Sequence, residues 1–385
     1  MSVATNILFF VFMPVFWFAL IRVFFVYNRR VNRERRLFES AINPKFHEGW
    51  VFLKSLIVLG IVGSLLTALV GVETSLNWIL LYELIVAISL LIPWILVPTF
   101  LLFGAVLMGV FFNDYSIPMI KGGDIAGAIN VNASRSANFL ALITIMLILM
   151  FIFLKMNGKT INSPQVAKNR RGNRVASYGF NELAVFPLVL LIPGKLIETV
   201  IPMWPVFNIF GAHVTFLVVP FLIGFRLKFI NHLPNELMPR ISNAIGKLAL
   251  LAIVLTAIAY FFRNSYYVIF AIILLAIVYA LIIYHFHRVD RKTGSQISQA
   301  VDGIRIIGIK PNTPADKMGL KTGDLIIEVN NMAVNSESQL YQALQDDPTF
   351  VHMKVKNRHN QLEIKETAIY DGSPHEIGIE MFQNN

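Results

Sequence analysis

NTPADKMGLKTGDLIIEVN, residues 312–330, places turn residues at fixed offsets before a short apolar strand. Thr313 is placed to cap a short helix whose first residue is Pro314, and Gly319 is placed to end it. The β-branched run 325–329 then has the composition of a strand. The stretch therefore predicts a short helix and a strand joined by a tight turn.

The flanking sequence completes a small α/β module over residues 303–382. Ser336 is placed to cap a second helix at 337–345, with Leu340 and Leu344 on one face. Further strands are predicted at 303–309, 350–357 and 361–369. This order, with its proline, glycines and aspartate at these offsets, closely resembles a bacterial PDZ domain.

The resemblance implies a groove that binds an extended peptide as an added strand, with its terminal carboxylate held by backbone N–H groups of a loop. In the permuted bacterial form that loop and strand come last in the sequence. The implied loop and strand residues are Glu376, Ile377, Gly378, Ile379 and Met381, and the implied helix residues are Glu337, Tyr341 and Leu344. An ordinary terminal strand without a ligand, or a groove filled by an internal loop of a partner, remains an alternative.

The rest of the chain has a different composition. Residues 1–295 hold 25 Lys and Arg against 11 Asp and Glu, whereas residues 296–385 hold 8 against 12. Only 15% of all residues are charged, compared with roughly 25% in soluble domains, and long apolar runs interrupt the first part. We predict a multi-span membrane domain at 1–290, a linker at 291–302 and a cytoplasmic PDZ domain at 303–385.

Two apolar runs, 77–112 and 183–225, are too long for one helix and contain prolines. We expect each to be a proline-broken hairpin, spanning or re-entrant, in an α-helical polytopic domain of 5–9 membrane segments. The N-terminal run from Asn6 to Tyr27 reads as a retained span, because it lacks the basic start and cleavage site of a signal peptide.

Basic loops set the predicted orientation, because Lys and Arg stay on the cytoplasmic side. Segments 28–50 and 155–181 carry six such residues each, and 226–247 carries four. These loops would therefore be cytoplasmic, and the loops 28–50 and 155–181 would attract anionic lipids. That accounts for the positive charge without nucleic acid.

The sequence gives little support for a catalytic function. The chain has no Cys, and His47-Glu48 lacks the second His that a zinc protease helix requires at position 51. No serine-protease motif occurs, and Gly60 to Ser64 reads as a small-residue helix-packing face. We expect no catalytic residues, no metal and no cofactor.

Three ionisable residues lie within apolar runs, where such groups are often functional. They are Glu83, Lys195 and Glu198. A polar site between two broken hairpins would suit a transporter or channel that the PDZ domain regulates. An intramembrane protease is a weaker alternative.

A polytopic membrane domain followed by one PDZ domain resembles the MinJ-type bacterial division-site proteins. The resemblance implies a membrane-anchored adaptor, enriched at septum and poles, that links a DivIVA-like protein to a MinD-like ATPase.

Overall fold

The computed structural model describes residues 10–92, 98–112, 133–158, 163–168, 172–193, 207–209, 212–292, 297–347, 349–369 and 377–382. These residues form an apolar helical domain, a long β-hairpin packed against its helices, and a small domain of sheet and helix at the C-terminal end.

Helices make up most of the N-terminal part. They are α1 (Pro14–Phe38), α2 (His47–Val70), α3 (Leu76–Leu91), α4 (Pro98–Phe112), α5 (Ala133–Asn157), α6 (Pro234–Phe262) and α7 (Ser265–Lys292). Four helices in the described chain, α2, α6, α7 and the part of α5 from Ser136 to Asn157, are long and apolar enough to cross a bilayer. The predicted helical membrane domain is confirmed.

Helix α5 lies at the centre of this domain. Its span is mostly buried within the protein, whereas α2, α6 and α7 bury only about a third of theirs. The outward faces carry large exposed apolar side chains, such as Ile61 and Leu65 on α2. Lipid tails are as apolar as leucine, so such faces need no protein cover in a bilayer.

The run 77–112 forms two helices, α3 and α4, as a proline-broken hairpin should. At 1.5 Å per residue the helices are about 24 and 22 Å long, which is shorter than a hydrocarbon core of roughly 30 Å. Their connection at 93–97 lies outside the described residues. The number of membrane crossings therefore stays a prediction.

The run 183–225 is a hairpin too, but the expectation that it is helical is wrong. It forms two long antiparallel strands, β2 (Arg174–Pro193) and β4 (Ala212–Phe229), paired from Tyr178↔Phe229 to Pro193↔Val214. Pro187 and Pro220 face each other in the middle of the ladder. Pro187 and Pro193 leave no uninterrupted helix of useful length in the first arm, and Pro220 interrupts the second. A strand that has no neighbour on its outer side loses no ladder hydrogen bond to a proline.

Backbone groups of this hairpin form hydrogen bonds with the helices and their loops. The Ser64 hydroxyl donates to the Pro187 carbonyl at 3.2 Å, and the Leu222 N–H donates to the Tyr82 hydroxyl at 3.1 Å. Leu191 exchanges backbone hydrogen bonds with the loop between α2 and α3. A strand can lie inside an apolar domain only if its backbone groups find such partners. Short strands β1 (Pro164–Lys168) and β3 (Phe207–Ile209) extend the sheet.

The C-terminal domain is built on a sheet of order β10-β9-β7-β6-β11. The elements are β6 (Ile304–Ile309), α8 (Pro314–Lys317), β7 (Leu325–Val329), β8 (Met332–Ala333), α9 (Glu337–Asp346), β9 (Phe350–Lys356), β10 (Leu362–Ala368) and β11 (Ile379–Met381). Ile306, Ile326 and Leu340 are fully buried in its core. The predicted order of strands and helices is confirmed.

This domain packs against the base of the membrane domain through a separate apolar cluster. Ile307 and Phe382 meet Phe38, Tyr178 and Leu233 there. The Tyr178 hydroxyl donates to the Ile307 carbonyl at 2.8 Å.

The structure describes part of the chain between the two domains. Helix α7 continues to Lys292, and strand β5 (Ile297–Ser298) pairs with Val175 and Ala176 of β2. The proposed boundaries at 290 and 302 stay predictions.

Candidate peptide-binding groove

Strand β11 lies at one end of the C-terminal sheet. It pairs with β6 through Ile379↔Ile309 and Met381↔Ile306, and its other edge pairs with no strand among the residues that the structure describes. An edge strand exposes backbone N–H and C=O groups in the spacing that an added strand requires. This edge is where the resemblance places the bound peptide.

Gly378 lies in the loop that leads into β11. Its φ of +88° lies in the left-handed region, and a Cβ there would collide with the side chain of Thr313. The Gly378 carbonyl accepts the Lys310 N–H at 2.9 Å, and the Ile377 carbonyl accepts the Ala315 N–H at 3.0 Å. Glycine is thus required by packing and backbone conformation, so a side chain at 378 would disturb the fold before it could probe a ligand.

Thr313 stands at the start of α8, but its predicted capping bond is not formed. The hydroxyl donates instead to the Lys310 carbonyl at 2.7 Å, which leaves the side chain packed against Gly378. Asn312 takes a left-handed conformation, and its N–H donates to Asp316. The predicted helix is confirmed at Pro314–Lys317, with a positive φ at Gly319 after its end.

Helix α9 supplies the opposite wall that the resemblance implies. Ser336 caps it as predicted, by accepting the Gln339 N–H. Leu344 is half-buried and packs on the core cluster that also contains Ile379 and Met381, whereas Glu337 and Tyr341 are exposed. Leu344 therefore borders the core to which Ile379 and Met381 contribute, and Glu337 and Tyr341 are accessible on the same helix. Contact of α9 with the strand residues across a groove stays a prediction. Glu376 lies outside the described residues.

The charged side chain of β11 contacts a cation and a hydroxyl group. Glu380 is buried, lies 3.5 Å from Lys310 Nζ, and accepts a long hydrogen bond from Ser40 of the membrane domain. The groove is thus mainly apolar, with backbone groups as its polar elements.

The proposed intramembrane polar site is only partly described. Both carboxylate oxygens of Glu83 are buried, and neither has a hydrogen-bond partner within the described chain. Lys195 and Glu198 lie outside the described residues, so the grouping of the three stays a prediction.

The His47-Glu48 pair belongs to a structural cluster that the sequence analysis missed. Arg30 Nε contacts Glu48 Oε1 at 2.6 Å, and Arg30 Nη1 contacts Glu34 Oε1 at 3.3 Å. Glu34 and Glu48 are both buried, and the guanidinium lies between them and pairs with both. The i, i+4 spacing of Arg30 and Glu34 was the available signal. The described residues contain no group of three or more His, Asp or Glu that could hold a metal ion.

Sheet order, helix positions and the strand at the sheet edge together define a PDZ domain. The family model of the PDZ domain matches residues 305–357. The C-terminal domain of this chain is therefore a PDZ domain.

Similarity over nearly the whole chain points to one kind of protein. The probable cell division topological determinant MinJ of Lacticaseibacillus paracasei is 26% identical over 371 residues, which cover 96% of this chain and 95% of that protein. MinJ of Bacillus subtilis (strain 168) is 26% identical and is covered over 91% of its length. The similarity matches the predicted architecture of a polytopic domain followed by a PDZ domain.

Similarity to enzymes is confined to the PDZ domain. Serine protease HTRA1 of Xenopus tropicalis is 32% identical over 65 residues, which cover 17% of this chain and 14% of that protein. The proteins that match over the full length are named as division determinants, not as enzymes.

Proposed function

We propose that this protein is a membrane-anchored adaptor that recruits cytoplasmic peptides through its PDZ groove during selection of the bacterial division site. The observation that carries the proposal is the end strand β11, whose outer edge has no strand partner in the described chain. Helix α9 of the same domain leaves Tyr341 exposed. The similarity to MinJ proteins supports the cellular role.

Recruitment would work by strand addition. A peptide pairs with β11 through its backbone, and its side chains contact Tyr341 and Leu344 on α9. One short strand binds weakly, so many copies held in one membrane region raise the effective concentration for a multivalent partner. The membrane helices are the means by which copies are held there.

The partners that we propose are a DivIVA-like protein and a MinD-like ATPase. The PDZ domain would face the cytoplasm, since the basic loops favour that side, and the protein would be enriched at septum and poles. Anionic lipids would be attracted to the basic loops.

Peptide binding can be tested on the full chain in lipid nanodiscs. The probe is an array of hexapeptides with free C-terminal carboxylates and the same peptides amidated. We expect binding that requires the free carboxylate and that falls about tenfold in Tyr341→Ala. The control is Phe350→Ala. Phe350 is a similarly exposed aromatic residue, and it lies on β9, three strands away from β11 in the sheet. Equal binding by both variants, or equal binding of amidated peptides, would contradict a carboxylate-binding groove.

A second function, transport regulated by the PDZ domain, is favoured by one observation. The Glu83 carboxylate is buried within the apolar domain without a described partner, which is costly unless the group has a function. Glu83→Gln should abolish ion or solute flux in liposomes if the protein is a transporter. An adaptor should keep its septal localisation with the same change.

A further inference from the structure

A cavity of about 880 Å³ lies at the junction of the helical domain and the β-hairpin. Its walls come from α1, the start of α2, the end of α3, and strands β1, β2 and β4. The volume is in the range of sites that bind molecules much larger than a single ion. It is separate from the PDZ groove.

Positive charge dominates the cavity wall. Six cationic side chains line it, against the two carboxylates Glu48 and Glu182. The cations are Arg22, Arg29, Arg30, Arg33, Arg226 and Lys228. Glu34 contacts Arg30 as well, so six cations stand against three carboxylates and the wall keeps a net positive charge.

Several of these cations repel one another. Arg22 lies close enough to Arg29 and Arg226 for unfavourable charge interaction with both. Arg33 is partly buried, and burial lowers the pKa of its guanidinium, with repulsion from Arg30 adding to the effect. Like charges gathered in one cavity are stabilised when an anion enters it.

Two buried nitrogen atoms on the cavity wall also lack partners. Arg33 Nε and His47 Nε2 have no hydrogen bond to any residue in the described ranges. Arg33 is held in place by its other end, where Nη2 donates to Ser163 Oγ at 3.0 Å. An oxyanion in the cavity would provide acceptors for such donors.

The cavity has an apolar rim on one side. Ile21, Phe25 and Leu91 line it and are also among the large exposed apolar side chains of the molecule. They continue the exposed face of α1, where Leu20 and Phe24 are similarly uncovered. The cationic wall and the lipid-facing surface therefore meet at the cavity mouth.

We propose that this cavity binds an anionic phosphate ester, and that its source is the headgroup of an anionic phospholipid whose acyl chains lie along the apolar rim. A free phosphate compound would use the cationic wall but would gain nothing from Ile21, Phe25 and Leu91. Arg22, Arg226 and Lys228 lie outside the loops 28–50 and 155–181, so the site is distinct from general attraction of those loops to the membrane.

The test is lipid retention by the full chain in a neutral detergent, followed by native mass spectrometry. The titrants are phosphatidylglycerol, phosphatidylcholine and soluble glycerol phosphate. The test variant is Arg29→Gln with Lys228→Gln, two exposed cavity residues. The control is Arg35→Gln with Lys247→Gln, which removes the same charge from exposed positions that do not line the cavity.

We expect one phosphatidylglycerol to bind with clear preference over phosphatidylcholine. At roughly fivefold per basic residue, the test variant should bind it about thirtyfold more weakly, while the control stays within about threefold of the unmodified chain. Equal losses in both variants would show that only overall charge matters and would overturn the site. Tight, cavity-dependent binding of glycerol phosphate at the same concentration would overturn the lipid as its source.

Discussion

Two segments of this protein look alike as sequence and fold differently. Both 77–112 and 183–225 are long, apolar and broken by proline, yet the first forms helices α3 and α4 and the second forms strands β2 and β4. We call residues 76–112 the helical hairpin and residues 174–229 the strand hairpin. The difference follows from where the prolines lie. In the helical hairpin they fall at the bend, whereas Pro187 and Pro220 lie within the arms of the strand hairpin.

The two conformations also cover different distances. A strand advances about 3.3 Å per residue and a helix 1.5 Å, so twenty residues make about 66 Å of strand but about 30 Å of helix. The strand hairpin therefore extends from Leu191, beside the loop after α2, to Tyr178, which contacts the PDZ domain. The helical hairpin is too short to connect the same points. The β-hairpin thus places the membrane domain and the PDZ domain in direct contact.

The largest effect that we expect concerns how tightly each hairpin is packed, and it can be measured by replacing a glycine with leucine. A Cβ on Gly60 of α2 would lie 2.8 Å from the Pro187 ring, whereas a Cβ on Gly104 of α4 would have no neighbour within 4 Å. Gly60→Leu should lower the free energy of unfolding by about 3 kcal/mol, because the strand hairpin would be pushed from α2. Gly104→Leu should leave it unchanged within about 0.5 kcal/mol or raise it slightly.

Thermal unfolding of both full-length variants in the same detergent measures the comparison. Equal shifts in the melting temperature would mean that the strand hairpin does not pack against α2 as closely as described.

A smaller effect is expected at the point where the hairpins meet. The hydroxyl of Tyr82 in the helical hairpin accepts the backbone N–H of Leu222 in the strand hairpin, and the site is buried. Tyr82→Phe leaves that N–H without an acceptor, which should cost about 2 kcal/mol. Tyr267→Phe is the control, because that half-buried hydroxyl only donates to the Leu255 carbonyl of a helix. Denaturant unfolding monitored by tryptophan fluorescence compares them, and an equal loss would contradict the role of Tyr82 as a backbone acceptor.

Much of this fold could be predicted from the sequence, for reasons that differ between the domains. The PDZ domain is specified locally, because Pro314, Gly319 and the strand 325–329 each restrict the backbone by themselves. In the membrane domain, a long apolar run predicts a helix only if a strand conformation can be excluded. The signal against helix in 183–225 was the position of Pro187 and Pro220 inside its two halves, whereas the presence of prolines alone indicated only a bend. Strand pairing depends on contacts far apart in sequence, such as Ser64 with Pro187, and no local pattern encodes them.

The sites divide in the same way. The groove residues are implied by a resemblance that rests on a linear motif, so Ile377, Ile379, Met381 and Leu344 could be named. The first three belong to the core cluster and Leu344 packs against it, while their role in peptide binding stays a prediction. The basic cavity could not be named, since its wall takes Arg22 and Arg29 from the first helix and Arg226 and Lys228 from a strand roughly 200 residues later. In the sequence Arg22 lies within the first predicted span, and the other three residues belong to the basic loops that set orientation. Only the unexpected strand hairpin brings them together.

The smallest effect concerns the contact between the strand hairpin and the PDZ domain. Tyr178→Phe removes the hydrogen bond to the Ile307 carbonyl and should cost about 1 kcal/mol. Because this bond joins two domains, amide hydrogen exchange in β6 should become several times faster. Tyr279→Phe is the matched control, since its hydroxyl binds Thr99 of the helical hairpin at 3.2 Å. It should lower the melting temperature to a similar extent and leave exchange in β6 unchanged. Faster exchange in β6 in both variants would mean that the PDZ domain responds to the stability of the whole membrane domain, and that the strand hairpin has no special connection to it.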